Sequence, residues 1–478
     1  MRGRRPRAWW LTRAALGVAG AFLLSARVCT AEAAGSAGLA GLERPMFQYF
    51  WDNADPRTGL IPDRLPSSSY ASIAGLGFGL TAYVIGAQRH YVPRAAALAR
   101  SLQMLRTLSQ APAEHGIFYH FIDLKTLRPT WDSDVSPVDS SLLFGGIVTV
   151  ESYFDGPSAS ERDLRSLAQR LLDRADWRWA APRAPAIAMD WSRTRGFAHY
   201  DWIGYNEAML MYILAIGSRP HPLPAAAWSA YTAGYQRTWG EHQGYQYLGF
   251  GPLFGHEFSE VWIDFHGIAD PFMRAHGIDY FINSRRAVLA QRRYAIADPD
   301  HWRDYGADIW GLSASDGPGD ERIEVNGAVR RFWGYEARGD DGDAPDDGTL
   351  APLAVVAALP FAPHHVEAAI EALRARFGAR IYGRYGFVDA FNPSFGRGGW
   401  FDHTYVGIDT GAALAMLENY RSGLIWRLVR RNSNIVRGLR RAGFGGGWLA
   451  TASGASKTLI TRGPGVESRP PSARPAGD

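Results

Sequence analysis

Two kinds of helical segment alternate along most of this 478-residue chain. Segments of one kind are apolar on every side, and they are predicted over residues 70–86, 137–153, 204–217, 349–359 and 408–421. Between them stand segments that are striped, mixed or amphipathic, predicted over residues 93–109, 160–175, 224–237, 363–377 and 424–440. A helix that is apolar all round is buried, whereas a helix with one apolar stripe faces water on its other side. Five such pairs in succession therefore predict an inner ring of helices wrapped by an outer ring.

A sixth pair fits within residues 255–296, where residues 278–296 have a helical pattern. Six pairs make an (α/α)6 barrel, which is an all-α fold with little β structure. A helical solenoid is the alternative, but solenoids repeat their sequence at a short fixed period and no such repeat is found. Strand patterns are few, and a short sheet is predicted near residues 116–132.

The N-terminus has the pattern of a secretory signal peptide. Five arginines fall within residues 1–13, an uncharged apolar run covers residues 14–26, and Ala31-Glu32-Ala33 is a small-x-small cleavage signal. The run is shorter than the roughly 20 residues of a spanning helix. We therefore predict a signal peptide over residues 1–33, a periplasmic or secreted location, and no stable membrane insertion after cleavage; an uncleaved anchor is the alternative.

The barrel domain is predicted over residues 34–443 and a disordered tail over residues 444–478, which are rich in Gly, Ser, Pro and Arg.

The basic pI of 9.1 comes from the presequence. The whole chain has a formal net charge of +4, and residues 1–33 contribute +5 through six arginines and one glutamate, so the remainder carries −1. Because the mature chain has no excess of basic residues, we exclude nucleic acid as a partner class.

The loops that precede the apolar helices hold many polar and aromatic residues. In a barrel these loops would converge on one end of the ring, so that one cavity would hold carboxylates and aromatic rings together. Flat aromatic rings stack on the C–H faces of sugars. We therefore predict substrate-binding roles for Asp63, Arg64, Trp131, Trp202, Tyr205, Trp262, Trp310, Asp316, Trp400, Asp402 and Tyr405. A turn role in a Gly-rich loop is the alternative for Asp316.

Glu207 is the first candidate for a catalytic acid. It is predicted in the first turn of an apolar helix, with Trp202 and Tyr205 just ahead of it. A carboxylate ringed by aromatic side chains can hold a sugar and protonate its leaving oxygen. The alternative is that Asn206 caps the helix and that Glu207 only complements the helix dipole.

Asp139 and Asp409 are the other catalytic candidates, and each has a structural alternative. Ser136 and Asp139 have the spacing of a capping box at the start of the segment 137–153. Asp409 or Thr410 could be the N-cap of the segment 408–421.

Other chemistries have little support. The single cysteine, Cys29, lies in the presequence, so the mature chain has no disulfide, cysteine nucleophile or zinc–thiolate site. A His-Glu-x-x-His motif is absent, and the acids within residues 340–347 favour a solvated turn over a calcium site. We predict no metal and no cofactor, carboxylates as acid and base, and an enzyme that acts on glycosidic bonds.

Several segments resemble those of the bacterial glucoamylase-like family, which includes the β-1,2-glucanases of glycoside hydrolase family 144 and the transglycosylase domain of cyclic β-1,2-glucan synthases. Two of them read Tyr205-Asn-Glu-Ala-Met209 and Phe250-Gly-Pro-Leu-Phe-Gly-His256. The others are residues 59–64, 262–267, 279–286, 310–318, 347–349, 385–392 and 418–421. They run in order through nearly the whole mature domain.

The resemblance implies an (α/α)6 barrel and action on β-linked glucans. It implies that Glu207 is the general acid, with Asp409 as the first choice of base, followed by Asp402 and Asp139, and it adds Asp264 to the substrate-binding candidates. The sequence departs from the pattern at Glu257 and Glu260, which stand where uncharged side chains are expected, and within residues 133–137. Both departures could reshape the cleft.

The resulting hypothesis is a secreted, monomeric glycoside hydrolase that acts on β-glucan oligosaccharides by carboxylate general acid/base catalysis, with β-1,2-glucan as the expected substrate. The alternatives are a non-catalytic glycan-binding protein and a glucan transglycosylase or phosphorylase.

Overall fold

Helices make up most of the regular structure in this computed structural model, which describes residue 39 and residues 41–66 and 68–451. The first, α1, covers residues 41–52. The next are α2 (Ile73–Gln88), α3 (Arg94–Gln110), α4 (Pro137–Tyr153), α5 (Ala159–Arg174), α6 (Met209–Gly217), α7 (Ala226–Tyr231), α8 (Tyr235–Thr238) and α9 (Phe254–Trp262). The last are α10 (Pro271–Ala275), α11 (Tyr280–Ala297), α12 (Pro352–Ala357), α13 (Pro363–Phe377), α14 (Gly407–Ser422), α15 (Leu424–Val429), α16 (Ser433–Arg441) and α17 (Gly447–Thr451).

The strands are short and form two-stranded antiparallel ladders in the loops. The ladders between neighbouring strands are β3 (Ala113–Glu114) with β4 (Ile117–Phe118), β6 (Trp191–Ser192) with β7 (Gly196–Phe197), β8 (Trp239–His242) with β9 (Tyr245–Leu248), β12 (Arg322–Val325) with β13 (Ala328–Arg331), β15 (Tyr382–Gly383) with β16 (Gly386–Phe387) and β17 (Phe391–Asn392) with β18 (Trp400–Phe401). The ladders between distant strands are β1 (Arg64–Leu65) with β19 (Tyr405–Val406), β2 (Tyr70–Ser72) with β5 (Phe121–Asp123), β10 (Ile268–Ala269) with β20 (Gly445–Gly446) and β11 (Ala314–Ser315) with β14 (Glu336–Ala337).

The helices that read as apolar all round are buried, namely α2, α4, α6, α12 and α14. They pack side by side, α12 on α14, α14 on α2, α2 on α4 and α4 on α6, while α9 packs on α4, α6 and α14. The amphipathic helices lie outside them, with α3 on α2, α5 on α4, α13 on α12 and α16 on α6. The fold is therefore helix-rich and has the predicted alternation of buried and half-exposed helices.

Glycines allow α2 and α4 to approach closely. A Cβ atom added at Gly77 would lie 2.2 Å from the carbonyl oxygen of Leu142, and one added at Gly146 would lie 2.1 Å from the carbonyl oxygen of Gly77. Real side chains do not make such contacts with backbone, so the two helices touch at backbone level. These glycines serve packing, because a larger residue at either position would push the helices apart.

Several predicted boundaries were wrong. The helix expected over residues 204–217 begins only at Met209, and the segment 424–440 is divided into α15 and α16, the second capped by Asn432. The predicted disordered tail begins too early, because Phe444 is buried against Trp228 and Tyr280, and residues 445–451 form β20 and α17. The contacts of Phe444 and the pairing of β20 thus give regular structure to a Gly-rich segment that has no apolar periodicity.

The predicted signal peptide and residues 452–478 of the predicted tail lie outside the described residues. Within the described part of the chain, no helix is both long enough and apolar enough to cross a membrane.

Candidate active site

A cavity of about 600 Å³ opens where the leading ends of the buried helices meet. Its wall includes Ser72 and Ser136, the N-caps of α2 and α4, together with Phe254 at the start of α9 and Asp409 in the first turn of α14. Six more charged residues line it, namely Asp63, Arg64, Asp134, Asp139, Asp190 and Glu207. The loops that precede α2, α4, α6 and α14 therefore converge on one cavity, as predicted, whereas no residue of the segment 346–348 before α12 lines it.

Glu207 lies in the turn that leads into α6, not inside the helix. Ser259 on α9 fixes this turn, because its hydroxyl donates to the Glu207 carbonyl oxygen at 2.7 Å and accepts the Leu210 N–H at 3.0 Å. The Asn206 side chain accepts the N–H of Ala208 at 3.0 Å within this turn, but the N-cap position of α6 is Ala208, which offers no side-chain hydrogen bond, so the alternative in which Asn206 caps the helix is wrong. Burial, followed by the charge of Asp139, raises the pKa of Glu207 to about 7. A carboxyl group with that pKa can donate a proton near neutral pH.

Asp139 faces Glu207 from the first turn of α4. The Ser136 hydroxyl accepts the Asp139 N–H at 3.3 Å and donates to the Asp139 carboxylate, so the predicted cap at Ser136 is present. His120 lies beside this carboxylate, with Nδ1 3.7 Å from Oδ2. Asp139 is thus held in place by the cap while its charge acts on Glu207.

Asp409 projects from the first turn of α14, and the cap position of that helix is Val406, which offers no side-chain hydrogen bond. The alternative in which Asp409 or Thr410 caps the helix is therefore wrong. Burial, then the charges of Asp63 and Asp316, raise the pKa of Asp409 to about 7, while Arg64 lowers it. The guanidinium of Arg64 lies 2.8 Å from Asp316 and 3.3 Å from Asp63.

Asp316, Asp389 and Asp402 cluster beside Asp409, with one carboxylate oxygen from each lying within 4.8 Å of the others. Oxygens of all three already accept hydrogen bonds from protein donors. Arg64 donates to Asp316, the backbone N–H of Asp316 donates to Asp389, and His403 and Thr404 donate three hydrogen bonds to Oδ1 of Asp402. We interpret the cluster as an internal network, and the absence of a metal stays a prediction.

Aromatic side chains stand at the wall and rim of the cavity. Trp202 lines it and donates from Nε1 to the Met189 carbonyl oxygen at 3.3 Å. Trp131 is 72% exposed, and its ring centroid lies 4.6 Å from that of Tyr70 and 5.7 Å from that of Phe121, which lines the cavity. Tyr335 also lines the cavity and is 64% exposed.

Three predicted substrate-binding residues belong to the core instead. Trp262 is fully buried against Phe78, and Trp310 is 1% exposed in the same core. Asp264 is 1% exposed and binds His266 and Arg430. A buried ring has no free face for a sugar, and the buried carboxylate of Asp264 is already paired with protein groups, so these three predictions were wrong. A position near a turn in the sequence does not imply that the side chain is exposed.

Three more predicted residues lie near the cavity without lining it. Tyr205 is 4% exposed and its hydroxyl is 2.9 Å from Nδ1 of His256. Trp400 lies in β18, and Tyr405 pairs with Leu65 through β19 and β1. Trp400 and Tyr405 hold the loops together through their backbone ladders, and Tyr205 does so through the hydrogen bond of its side chain to His256.

The acids of residues 340–347 do not form the simple solvated turn that was predicted. Asp347 is buried and binds the fully buried Arg338 at 2.7 Å, and Asp346 accepts hydrogen bonds from Tyr294, Trp302 and Tyr305. These two carboxylates therefore have protein partners.

The two departures from the family pattern differ in effect. Glu257 and Glu260 are buried on α9, whereas Phe254 and Phe258 of the same helix face the cavity. Within residues 133–137, Asp134 and Ser136 do line it.

The sequence analysis missed Asp389, His120 and Tyr335. Asp389 lies within residues 385–392, one of the segments that resemble the family, but the resemblance did not single it out, and Tyr335 stands in a loop without a recognisable local motif. His120 precedes the strand β5 and stacks on Phe121 with ring centroids 3.9 Å apart. Its place beside Asp139 depends on a fold contact that no sequence spacing reveals.

Comparison with known proteins gives consistent matches. The glycoamylase family model, described as "Putative glucoamylase", matches residues 199–433. A "putative glucoamylase" from Bacteroides uniformis has 30% sequence identity and a TM-score of 0.77, over 85% of this chain and 97% of that one. An endo-β-1,2-glucanase from Chitinophaga pinensis has 28% identity and a TM-score of 0.77, over 86% of this chain and 98% of that one.

A further relative is the exo β-1,2-glucooligosaccharide sophorohydrolase (non-reducing end) of Parabacteroides distasonis, with 28% identity over 430 residues. The match covers 83% of this chain and 56% of the relative, so the chain spans little more than half the length of that protein.

Proposed function

Because the chain belongs to the glucoamylase-like family, we propose that it is a glycoside hydrolase that cleaves β-glucan oligosaccharides, with β-1,2-glucans as the preferred substrates. The proposal is carried by one observation: the turn before α6 and the first turn of α14 present Glu207 and Asp409 to the same cavity, each with its pKa raised to about 7. Its substrate class is supported by the endo- and exo-acting β-1,2-glucan hydrolases among the relatives.

In the proposed reaction, Glu207 protonates the oxygen of the leaving sugar. Asp409 accepts a proton from the water that attacks the anomeric carbon. Glu207 must then be protonated and Asp409 ionised at the same time, and pKa values near 7 permit this at neutral pH. Trp202 and Trp131 offer ring faces to the sugar, at the wall and at the rim respectively.

We further propose that the buried helices close an (α/α)6 barrel, with α9 and α11 as the sixth pair. A secreted or periplasmic location fits this proposal, since residues 1–33 have the signal-peptide pattern, and the monomeric state stays a prediction. No cofactor is needed for acid/base hydrolysis of a glycosidic bond.

A linkage panel tests the substrate and the reaction together. The purified protein is incubated with β-1,2-, β-1,3-, β-1,4- and β-1,6-glucans, and new reducing ends are counted while products are sized by mass spectrometry. We expect reducing ends to accumulate on β-1,2-glucan well above the other linkages.

The other outcomes identify the alternatives. Binding of β-1,2-glucan without new reducing ends would indicate a glycan-binding protein. Products with redistributed chain lengths but a constant number of reducing ends would indicate a transglycosylase. Either result would contradict the proposed hydrolysis.

A further inference from the structure

Asp389 is a buried acid that the proposed reaction does not use. It lies in the loop between β16 and β17 and is 1% exposed. Its Oδ2 accepts the backbone N–H of Asp316 at 2.7 Å, and its own N–H donates to the carbonyl oxygen of Thr404 at 2.8 Å. Its side chain also forms a hydrogen bond with Asp409. Two backbone contacts thus fix the carboxyl group that touches the proposed base.

Asp389, Asp409 and the acids around them cannot all be ionised at once. The acids that face it are Asp63, Asp316, Asp402 and Glu257, the phenols are Tyr49 and Tyr335, and the cation is Arg64. Arg64 is bound to Asp63 and Asp316, so no cation among the described residues contacts the Asp389–Asp409 pair directly. Two carboxyl groups in hydrogen-bonding contact cannot both ionise, and one of them keeps a proton.

The surroundings decide which of the two keeps it. Burial, followed by the charges of Asp409 and Asp316, raises the pKa of Asp389 well above its usual range. Asp409 lines the cavity and is also influenced by Arg64, and its pKa is about 7. Asp409 therefore ionises first.

We propose that Asp389 is a positioning residue that stays neutral in the working enzyme and donates its carboxyl O–H to the carboxylate of Asp409. This rests on the proposed function, in which Asp409 is the base. The backbone N–H of Asp316 occupies Oδ2 of Asp389, which leaves Oδ1 to carry the proton. The hydrogen bond holds one oxygen of Asp409 in place and leaves the other to receive a proton from water. It also favours the charged form of Asp409 and so opposes the effect of burial.

Two substitutions at Asp389 distinguish whether this residue acts as a neutral hydrogen-bond donor or as an ionised acid. In Asp389→Asn the amide N–H can donate to Asp409 and the amide oxygen can accept from Asp316. We expect its kcat/KM and its pH profile to stay close to those of the unmodified protein. Asp389→Ala removes the donor, so kcat should fall about 10- to 100-fold, which is the effect of losing a hydrogen bond to a charged group. The acid limb of its pH profile should move to higher pH, with KM changed little.

The same variants can overturn the proposal. If Asp389→Asn is as inactive as Asp389→Ala while both unfold at the temperature of the unmodified protein, Asp389 acts in its ionised form. If Asp389→Ala keeps the original acid limb, Asp389 does not act through Asp409. A divalent cation that raises the unfolding temperature, with the gain lost in Asp389→Asn, would show that the acids bind metal in ionised form.

An infrared measurement tests the proton without relying on activity. The carbonyl stretch of protonated carboxylic acids is recorded at neutral pH for the unmodified protein, Asp389→Asn, and the exposed control Asp320→Asn. We expect part of the band to disappear in Asp389→Asn only. An unchanged band would contradict the proposal. Because this readout needs no substrate, failure of the protein to cleave any glucan would refute the proposed function and leave this test intact.

Discussion

Glu207 and Asp409 both have a pKa of about 7, but their neighbours differ. The charge that acts on Glu207 is that of Asp139, whereas Asp409 stands among several carboxylates and Arg64. Burial is the largest cause in both cases. The two groups can therefore be tuned separately, since a change at Asp139 acts on Glu207 and a change at Arg64 acts on Asp409.

The first prediction concerns the pH dependence of hydrolysis. Glu207 must carry its proton, so activity should fall as pH rises through about 7. Asp409 must be ionised, so activity should also fall as pH drops below about 7. Asp139→Asn removes a charge that raises the pKa of Glu207, so the alkaline limb of kcat/KM should move to lower pH. The check is a pH profile of both proteins, and an unmoved alkaline limb in the variant would contradict the assignment of Glu207 as the acid.

A second prediction concerns Trp131. Its backbone has a φ of 52°, which is unusual for a non-glycine residue, and its ring is 72% exposed. A strained backbone conformation at a residue with an exposed side chain often accompanies a ligand-binding role. Trp131→Ala should raise KM for longer glucans about fivefold, the effect of losing roughly 1 kcal/mol of stacking, with kcat nearly constant. Tyr420→Ala, at a half-exposed aromatic on α14, is the control, and an equal effect in both variants would rule out stacking at Trp131.

At this scale the sequence identified some site residues and misjudged others. Glu207 and Asp139 could be predicted because they stand beside the start of an apolar segment, and helix starts converge in a ring. Asp389 could not, because its role depends on Asp316, which lies far away in the sequence. Trp262 and Trp310 were misjudged because a pattern of turns does not say whether a ring points inward.

At the scale of elements, local signals fixed some helices and distant contacts fixed others. The starts of α4 and α13 follow from the sequence, because a proline stands at the first helical position of each. The start of α6 does not, since the hydroxyl of Ser259 on another helix takes the place of a local cap. The apolar periodicity of the sequence identifies such an element as a helix, and contacts with other parts of the fold determine the residue at which the helix begins.

Because α2 and α4 touch at backbone level, the addition of a single methyl group at Gly77 should destabilise the folded protein. In Gly77→Ala the added Cβ would meet the Leu142 carbonyl oxygen at 2.2 Å, so the helices must separate. Overpacking of this kind costs about 1–3 kcal/mol, and the unfolding temperature should drop by about 1–3 °C in a chain of this size. Gly41→Ala in α1 is the control, because no atom lies within 4 Å of its added Cβ. Equal unfolding temperatures for the two variants would refute the tight contact.

On the scale of the whole molecule, buried acids couple stability to pH. Burial raises the pKa of Glu257 and Glu260 well above the ordinary value of 4.5. Both groups are then neutral in the folded protein at a pH where they ionise in the unfolded chain. The unfolded state binds fewer protons over that range, so stability is highest below about pH 4.5 for these groups and is lost as pH rises.

Glu257→Gln should remove part of this dependence. Oε1 of Glu257 is buried without a hydrogen-bond partner, so the amide loses no contact at that atom. We expect the variant to unfold at a higher temperature than the unmodified protein at pH 8, with a smaller difference at pH 5. Thermal unfolding across this range is the measurement. A difference that does not change with pH would show that Glu257 is not a buried neutral acid.

The central claim is that Glu207 supplies the proton to the leaving sugar, and Glu207→Gln tests it most directly. Turnover of β-1,2-glucan is measured for the unmodified protein, for Glu207→Gln, and for Glu241→Gln, which changes an exposed glutamate on β8. We predict that Glu207→Gln lowers kcat by about 100-fold or more while it unfolds at a temperature close to that of the unmodified protein, and that Glu241→Gln has full activity. Full turnover in a folded Glu207→Gln protein would contradict the account.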